Sequence, residues 1–247
     1  MSKLKSKFAL AILLGAGVLC AVPAFAVDGQ ILINQSSVMA LGGFPFKITQ
    51  PGSYKLSGNL VVPGNTDGID ITADNVALDL NGFNISGPLK CTFAVTEVSC
   101  SGSITGYGVF SQQTNTTVKN GSITGMASAG VSANGALIEE LSVAHNTIGI
   151  SASGIVRRCV ASLNRIFGIE LVLGVVQDSF MFENGTGLFA SVATVTGNHI
   201  SSSATLGMGV EFTTFGSNSF FGNNSGNIGS GNGTTSQNNN NCDGATC

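Results

Sequence analysis

Along most of this chain the apolar residues come in short β-branched runs broken by Gly, Asn, Ser and Thr, with no helical periodicity. Gly followed by an aliphatic residue recurs at Gly68-Ile69, Gly108-Val109, Gly130-Val131, Gly149-Ile150, Gly168-Ile169, Gly187-Leu188 and Gly209-Val210. The last six aliphatic positions are 22, 19, 19, 19 and 22 residues apart. Self-similarity at such a period is the signature of a solenoid, in which each repeat buries its apolar face only against its neighbours. Within the repeats, Leu137-Ile138, Ile155-Val156 and Val175-Val176 recur in register, followed by Leu141, Cys159 and Ser179, then Val143, Ala161 and Met181, then Asn146, Asn164 and Asn184. This pattern predicts an all-β parallel coil with three brief strands per turn. Asn and Gly make the bends at left-handed backbone angles, and like residues stack on like about 4.8 Å apart.

The aliphatic spacing predicts about seven to eight coils over residues 61–226. The 40-residue gap before Val109 reads as one turn carrying an insertion over about 88–104, which holds Pro88, Cys91 and Cys100. Residues 27–60 are expected to form an N-terminal cap and first strands, because an open solenoid end exposes unpaired strand groups. Residues 227–247 are expected to form an Asn- and Gly-rich tail. Phe180, Phe182, Phe212, Phe220 and Phe221 are expected to fill the interior or cover its open end.

The segments "ITQPGSYKLSGNLVVP" and "GIDITADNVALDLNGFNISG", followed by the Gly-aliphatic repeats, resemble bacterial right-handed parallel β-helix repeat proteins of the pectate lyase-like superfamily. The resemblance covers nearly all of residues 31–226 and implies a right-handed single-stranded β-helix, the usual hand of parallel crossovers. It implies no one activity, because that superfamily holds lyases, hydrolases, epimerases, adhesins and proteins without an assigned role.

The N-terminus alters the picture of where such a coil works. Lys3, Lys5 and Lys7 precede an apolar run from Phe8 to Val22 and the small-x-small tripeptide Ala24-Phe25-Ala26, which reads as an export signal over residues 1–26, cleaved before Val27. No later stretch is long and apolar enough to span a bilayer. The protein is therefore expected in the periplasm or outside the cell. Removing those three lysines from ten basic residues leaves seven against thirteen acidic ones, a formal charge near −6 with no basic patch for nucleic acid. Beyond Cys20, five cysteines meet an oxidising compartment. Their closeness in sequence pairs Cys91 with Cys100 and Cys242 with Cys247. It leaves Cys159, between apolar neighbours Val156 and Val160, as a buried inert thiol.

The hexapeptide "NTDGID", Asn65 to Asp70, resembles the first signature of the polygalacturonases, which implies a catalytic role for Asp67. That family's pattern continues with DD and GHG motifs before the same strand in later coils, and with RIK further on. Here the corresponding residues are Tyr107, Ala129, Ile148, Phe167, Thr186 and Met208, and "NRIFGI" offers Arg165 without a lysine. The carboxylate set that acid–base hydrolysis needs is missing, so Asp67 reads as a turn acid. A calcium-dependent lyase site lacks its converging carboxylates and its base. His145 and His199 lie in different columns without companions at ligand spacing, so no metal and no cofactor is expected. Lys119, Glu139, Arg157 and Gln177 share one column, and Asn120, Glu140, Arg158 and Asp178 the next. Opposite charges on successive coils make these a structural ladder, beside the asparagine column Asn146, Asn164 and Asn184.

Alternation places the residue after each aliphatic anchor outside: Asp70, Phe110, Ser132, Ser151, Glu170, Phe189 and Glu211. On this reading Glu170 and Glu211 flank Phe189, roughly 9.6 Å apart from the coil spacing. Phe110, Phe189, Glu170 and Glu211 are then the candidates for ligand binding, and Asp70, Glu170 and Glu211 the catalytic candidates should the protein be an enzyme. No two carboxylates outside the charge ladder are expected within roughly 5.5 Å in an exposed groove. The function expected is a non-catalytic surface, adhesion or glycan-contact role, with a polysaccharide or cell-surface glycan as partner. The alternative is a diverged polysaccharide-active lyase, hydrolase or epimerase.

Overall fold

The computed structural model describes residues 29–94, 96–102 and 105–247, so the export signal expected over 1–26 lies outside the described residues. The chain winds as a β-solenoid with three strands per turn, and its strands form three parallel sheets. The first sheet stacks Phe46–Ile48, Ile69–Ile71, Val109–Ser111, the leading part of Ala129–Ala144, then Ile148, Phe167 and Thr186 onward, Met208–Glu211 and Ile228–Ser230. The second runs from Gln30–Ile33 through Gly52–Leu56 and Val76–Asp79 to Thr214–Gly216 and Thr235–Ser236. The third runs from Leu60–Val61 to Asn241–Cys242. No helix among the described residues is long and apolar enough to cross a membrane. The one helix described there, Gln35–Ala40, starts at an Asn34 capping box.

The interior follows from alternation. Ile69, Val109, Val131, Ile150, Ile169, Leu188 and Met208 stack in one fully buried file, and Val118, Ile138, Val156, Val176 and Val195 form a second. Each buried aliphatic side chain contributes about 1.5–3 kcal/mol of transfer energy. The glycine ahead of each anchor is required by close approach of successive coils. A β-carbon on Gly168 would stand 2.6 Å from the carbonyl oxygen of Gly187, nearer than real β-carbons come.

Several expectations change. The solenoid has about ten turns rather than seven to eight, because strands before residue 61 and after residue 226 continue the sheets. The last anchor is Met208, not Val210: Leu188 pairs with Met208 and Phe189 with Gly209, so Glu211 pairs with Ser191 and leaves the Phe189 column. Among the phenylalanines, Phe220 is buried but Phe180, Phe212 and Phe221 are 38, 59 and 64 % exposed. Ile71 and Ser111 pair directly, so the 40 residues between Ile69 and Val109 make one turn with an excursion. That excursion contains the antiparallel hairpin of Lys90–Ala94 and Glu97–Ser101, closed by the Cys91–Cys100 disulfide. The hairpin packs Leu89, Cys91 and Val98 against Ala204, and the carbonyl of Cys91 accepts from Nδ1 of His145 at 3.0 Å.

The corners hold the buried polar groups. Asn164 Oδ1 accepts from the backbone N–H and the side-chain amide of Asn146, both at 3.1 Å, and Asn184 Oδ1 does the same for Asn164 at 3.0 and 2.9 Å. A second ladder, unforeseen from sequence, links Asn198, Asn218 and Asn240 at 3.0–3.1 Å. Its column begins at Cys159, whose N–H donates to Ser179 Oγ. The Asn120, Glu140, Arg158 and Asp178 column is a bend in which all four adopt left-handed backbone angles. Arg158 donates to Glu139 and Glu140, and Arg157 to Glu139, whereas Asp178 is not among their partners. The left-handed bend aims each side chain outward and lets the arginines reach back only one coil. The disulfide Cys242–Cys247 closes the antiparallel turn that ends the third sheet.

Candidate functional site

The outer face of the first sheet gathers most of the side chains with chemistry. Its outward file runs Lys47, Asp70, Phe110, Ser132, Ser151, Glu170, Phe189 and Gly209. The positions three residues earlier carry Asp67, Tyr107, Ile148 and Phe167, all half-buried. Strand alternation turns the first file away from the core, and aromatic rings of the two sets meet, Tyr107 with Phe110 in one coil and Phe167 with Phe189 of the next coil. Tyr107 and Phe110 stand with ring centroids 5.1 Å apart, and Phe167 and Phe189 at 5.7 Å. All four rings are half-buried. Phe189 lies over Gly209, where a β-carbon would meet its ring at 3.3 Å.

Between the two aromatic pairs the residues are small, and they leave a trough of about 320 Å³ lined by Tyr107, Ser128, Ala129, Ser132, Ile148 and Ser151. Glu170 borders it and accepts from Ser151 Oγ at 2.8 Å. At the far side of Phe110 stand two acids. Asp67 Oδ1 accepts the N–H of Tyr107 at 2.8 Å, which is possible because the returning chain passes so near Thr66 that position 106 must be glycine. Asp70 stands near enough to Asp67 for the two carboxyls to influence each other, and its Oδ1 is buried without a hydrogen-bond partner. Burial and then the charge of Asp67 hold Asp70 above the usual carboxylate range, and Lys47 on the neighbouring strand opposes them.

The predicted residues are therefore brought together only in part. Asp70, Phe110, Glu170 and Phe189 share the outward file, whereas Glu211, outward on the same sheet, pairs with Ser191 and stands one column along because of the register at Met208. Asp70 and Glu170 are separated by four coil steps, about 19 Å at the strand spacing. Tyr107 and Phe167 were passed over in the search for acids before each anchor, although they stood at those positions. Cys159 is 1 % exposed, and burial pushes its thiol up to about 11, which makes it an unreactive core residue. A separate hollow of about 420 Å³ lies at the N-terminal end along Leu41 to Lys47 and meets this outward file at Lys47.

No protein-family model matches the chain, and no curated protein matches it. Among solved structures it is similar to the Dettilon tailspike protein, with a TM-score of 0.51 and 11 % identity, over 86 % of this chain and 54 % of that one. It is also similar to the periplasmic alginate epimerase AlgG, with a TM-score of 0.46 and 12 % identity, over 77 % of this chain and 68 % of that one. An alginate lyase from Paenibacillus gives a TM-score of 0.33 and 11 % identity over 86 and 97 % of the two chains. The chain spans about half the length of the tailspike it matches. At these identities the likeness is one of fold: the protein is a parallel β-helix, as its own strand pairing shows and the tailspike likeness supports.

Proposed function

We propose that this chain is an exported, right-handed β-helix that holds a polysaccharide on the outer face of its first sheet without cleaving it. The observation that carries the reading is the pairing of two half-buried aromatic clusters on either side of a small-residue trough, all on one flat sheet face. Aromatic faces offer apolar contact to the C–H side of sugar rings, while Ser132, Ser151 and Glu170 offer hydrogen-bonding groups that fix orientation. Two disulfides and the absence of a membrane-crossing helix among the described residues fit a place outside the cytoplasm.

Carboxylate spacing favours holding over cleaving. Paired acids that flank one glycosidic bond stand roughly 5–9.5 Å apart. Asp70 and Glu170 are far beyond that. A glycan array with the purified chain, followed by calorimetry on the best polymer, tests the proposal. Binding without new reducing ends or unsaturated products, lost in Phe110→Ala and Phe189→Ala, agrees with it. Binding unaffected by either change refutes it.

A second reading, catalysis, is favoured by Asp70, whose carboxyl is held above the usual carboxylate range by burial and by the neighbouring Asp67, as a general acid requires. Turnover of any polysaccharide that disappears in Asp70→Asn would establish it in place of the first.

A further inference from the structure

We infer that the polysaccharide taken by this face bears no acidic groups: it is a neutral polymer whose hydroxyls donate to the acids beside the aromatic pairs. The inference rests on the glycan-contact reading above and names the ligand class of that same site. Its basis is the sign and order of the charges along the face. Asp67 and Asp70 stand beside Tyr107 and Phe110 at one end, and Glu170 beside Phe167 and Phe189 at the other. The trough between them is lined only by uncharged residues.

The opposing basic groups are few. Lys47 is the cross-strand neighbour of Asp70 and lies at the margin of the face. Arg165 is exposed on the corner ahead of Phe167. Arg157 and Arg158 belong to the second sheet's edge and are engaged by Glu139 and Glu140. A polyuronate laid across both aromatic pairs spans about 19 Å of sheet. It would bring its own carboxylates against acids at either end and meet no cation in the middle. Recognition of a carboxylate chain calls for guanidinium or ammonium partners in bidentate or point contact, and the trough has none. A neutral polymer instead supplies hydroxyl donors, which carboxylate oxygens accept strongly. Ser132 and Ser151 both donate and accept, so the polar half of the trough suits a hydroxylated chain.

The test compares neutral polymers (a β-glucan, a xyloglucan and a galactomannan) with polygalacturonate and alginate on the full exported chain, at low and high salt. The inference expects a neutral polymer to bind at least about tenfold more tightly than either polyuronate at low salt, with its own affinity little changed by salt. Glu170→Gln should narrow that gap by raising polyuronate binding, since the amide still accepts a hydroxyl but no longer repels. Tighter binding of a polyuronate that is lost in Phe189→Ala overturns the inference while leaving the glycan-contact reading in place. Polymer binding of either kind that survives Phe110→Ala and Phe189→Ala places the glycan elsewhere and removes both, as does failure of every polymer to bind.

Discussion

Replacing Asn164 by alanine removes the centre of a buried ladder. The side chain is fully buried. Its Oδ1 accepts the backbone N–H and the amide of Asn146 at 3.1 Å, and its Nδ2 donates to the carbonyl of Val143 at 3.1 Å and to Asn184 Oδ1 at 2.9 Å. In the alanine variant the Asn146 N–H loses that acceptor in a site closed to water. A stranded buried donor costs about 1–3 kcal/mol, and each further bond lost about 0.5–1.5 kcal/mol. Asn146 Nδ2 retains Ile123 and Asn184 Oδ1 retains the Asn164 N–H, which limits the rest. The expected loss is about 2–5 kcal/mol, a large part of the usual stability of a domain. Urea unfolding followed by far-ultraviolet circular dichroism measures it, with tyrosine fluorescence as a second probe of cooperativity. Ser99→Ala is the control: its bond to Glu97 at 3.2 Å is exposed, and it should cost under about 0.5 kcal/mol. If Asn164→Ala loses no more than the control, the ladder does not hold the coils together and the reasoning fails.

Other consequences can be measured alongside. The Cys159 thiol, pushed up to about 11 by burial, should ignore a disulfide reagent at about pH 8 in the native protein and react at once on unfolding; native reactivity contradicts its place in the core. Gly168→Ala should destabilise by about 1–3 kcal/mol, because its β-carbon meets the Gly187 carbonyl and the Asn184 amide; a neutral urea midpoint shift would show that the coils can spread. Asp70 is held above the usual carboxylate range, so the folded protein binds its proton more tightly than the unfolded chain does. Its contribution is therefore complete below the ordinary pKa and is lost as pH rises through the raised value. Asp70→Asn should gain stability relative to the parent as pH rises above about 4. A difference that does not vary with pH removes the raised titration of Asp70 from the account.

How much of this was legible in the sequence depends on the physical signal. The anchors Ile150, Ile169 and Leu188 were readable because a glycine forced by close coil approach precedes each aliphatic that fills the interior. The same cue misled at Gly209-Val210. Gly207-Met208 offers glycine and an apolar residue two positions earlier, and only stacking on Leu188 decides between them. That two-residue difference moves Glu211 out of the Phe189 column and sets Gly209 opposite Phe189. The second asparagine ladder had its signal in Asn198, Asn218 and Asn240, in phase with the Cys159 and Ser179 column. It went unread because Cys and Ser precede the asparagines. Exposed Phe180, Phe212 and Phe221 could not be told from core residues by hydrophobicity, since their direction is set by local register and, at Phe212, by a left-handed bend.

Those phenylalanines also supply the rival to the glycan face. Phe180, Phe182 and His199 form a second aromatic group on the outer side of the third sheet, with centroids 4.8–5.1 Å apart, and Phe221 lies on the following coil. A crystal structure of the protein with a bound oligosaccharide distinguishes the two surfaces most directly. The account predicts sugar density across the trough between Tyr107–Phe110 and Phe167–Phe189, with hydroxyls on Ser151 and Glu170. Density on Phe180, Phe182 and His199, with the first sheet bare, would contradict it.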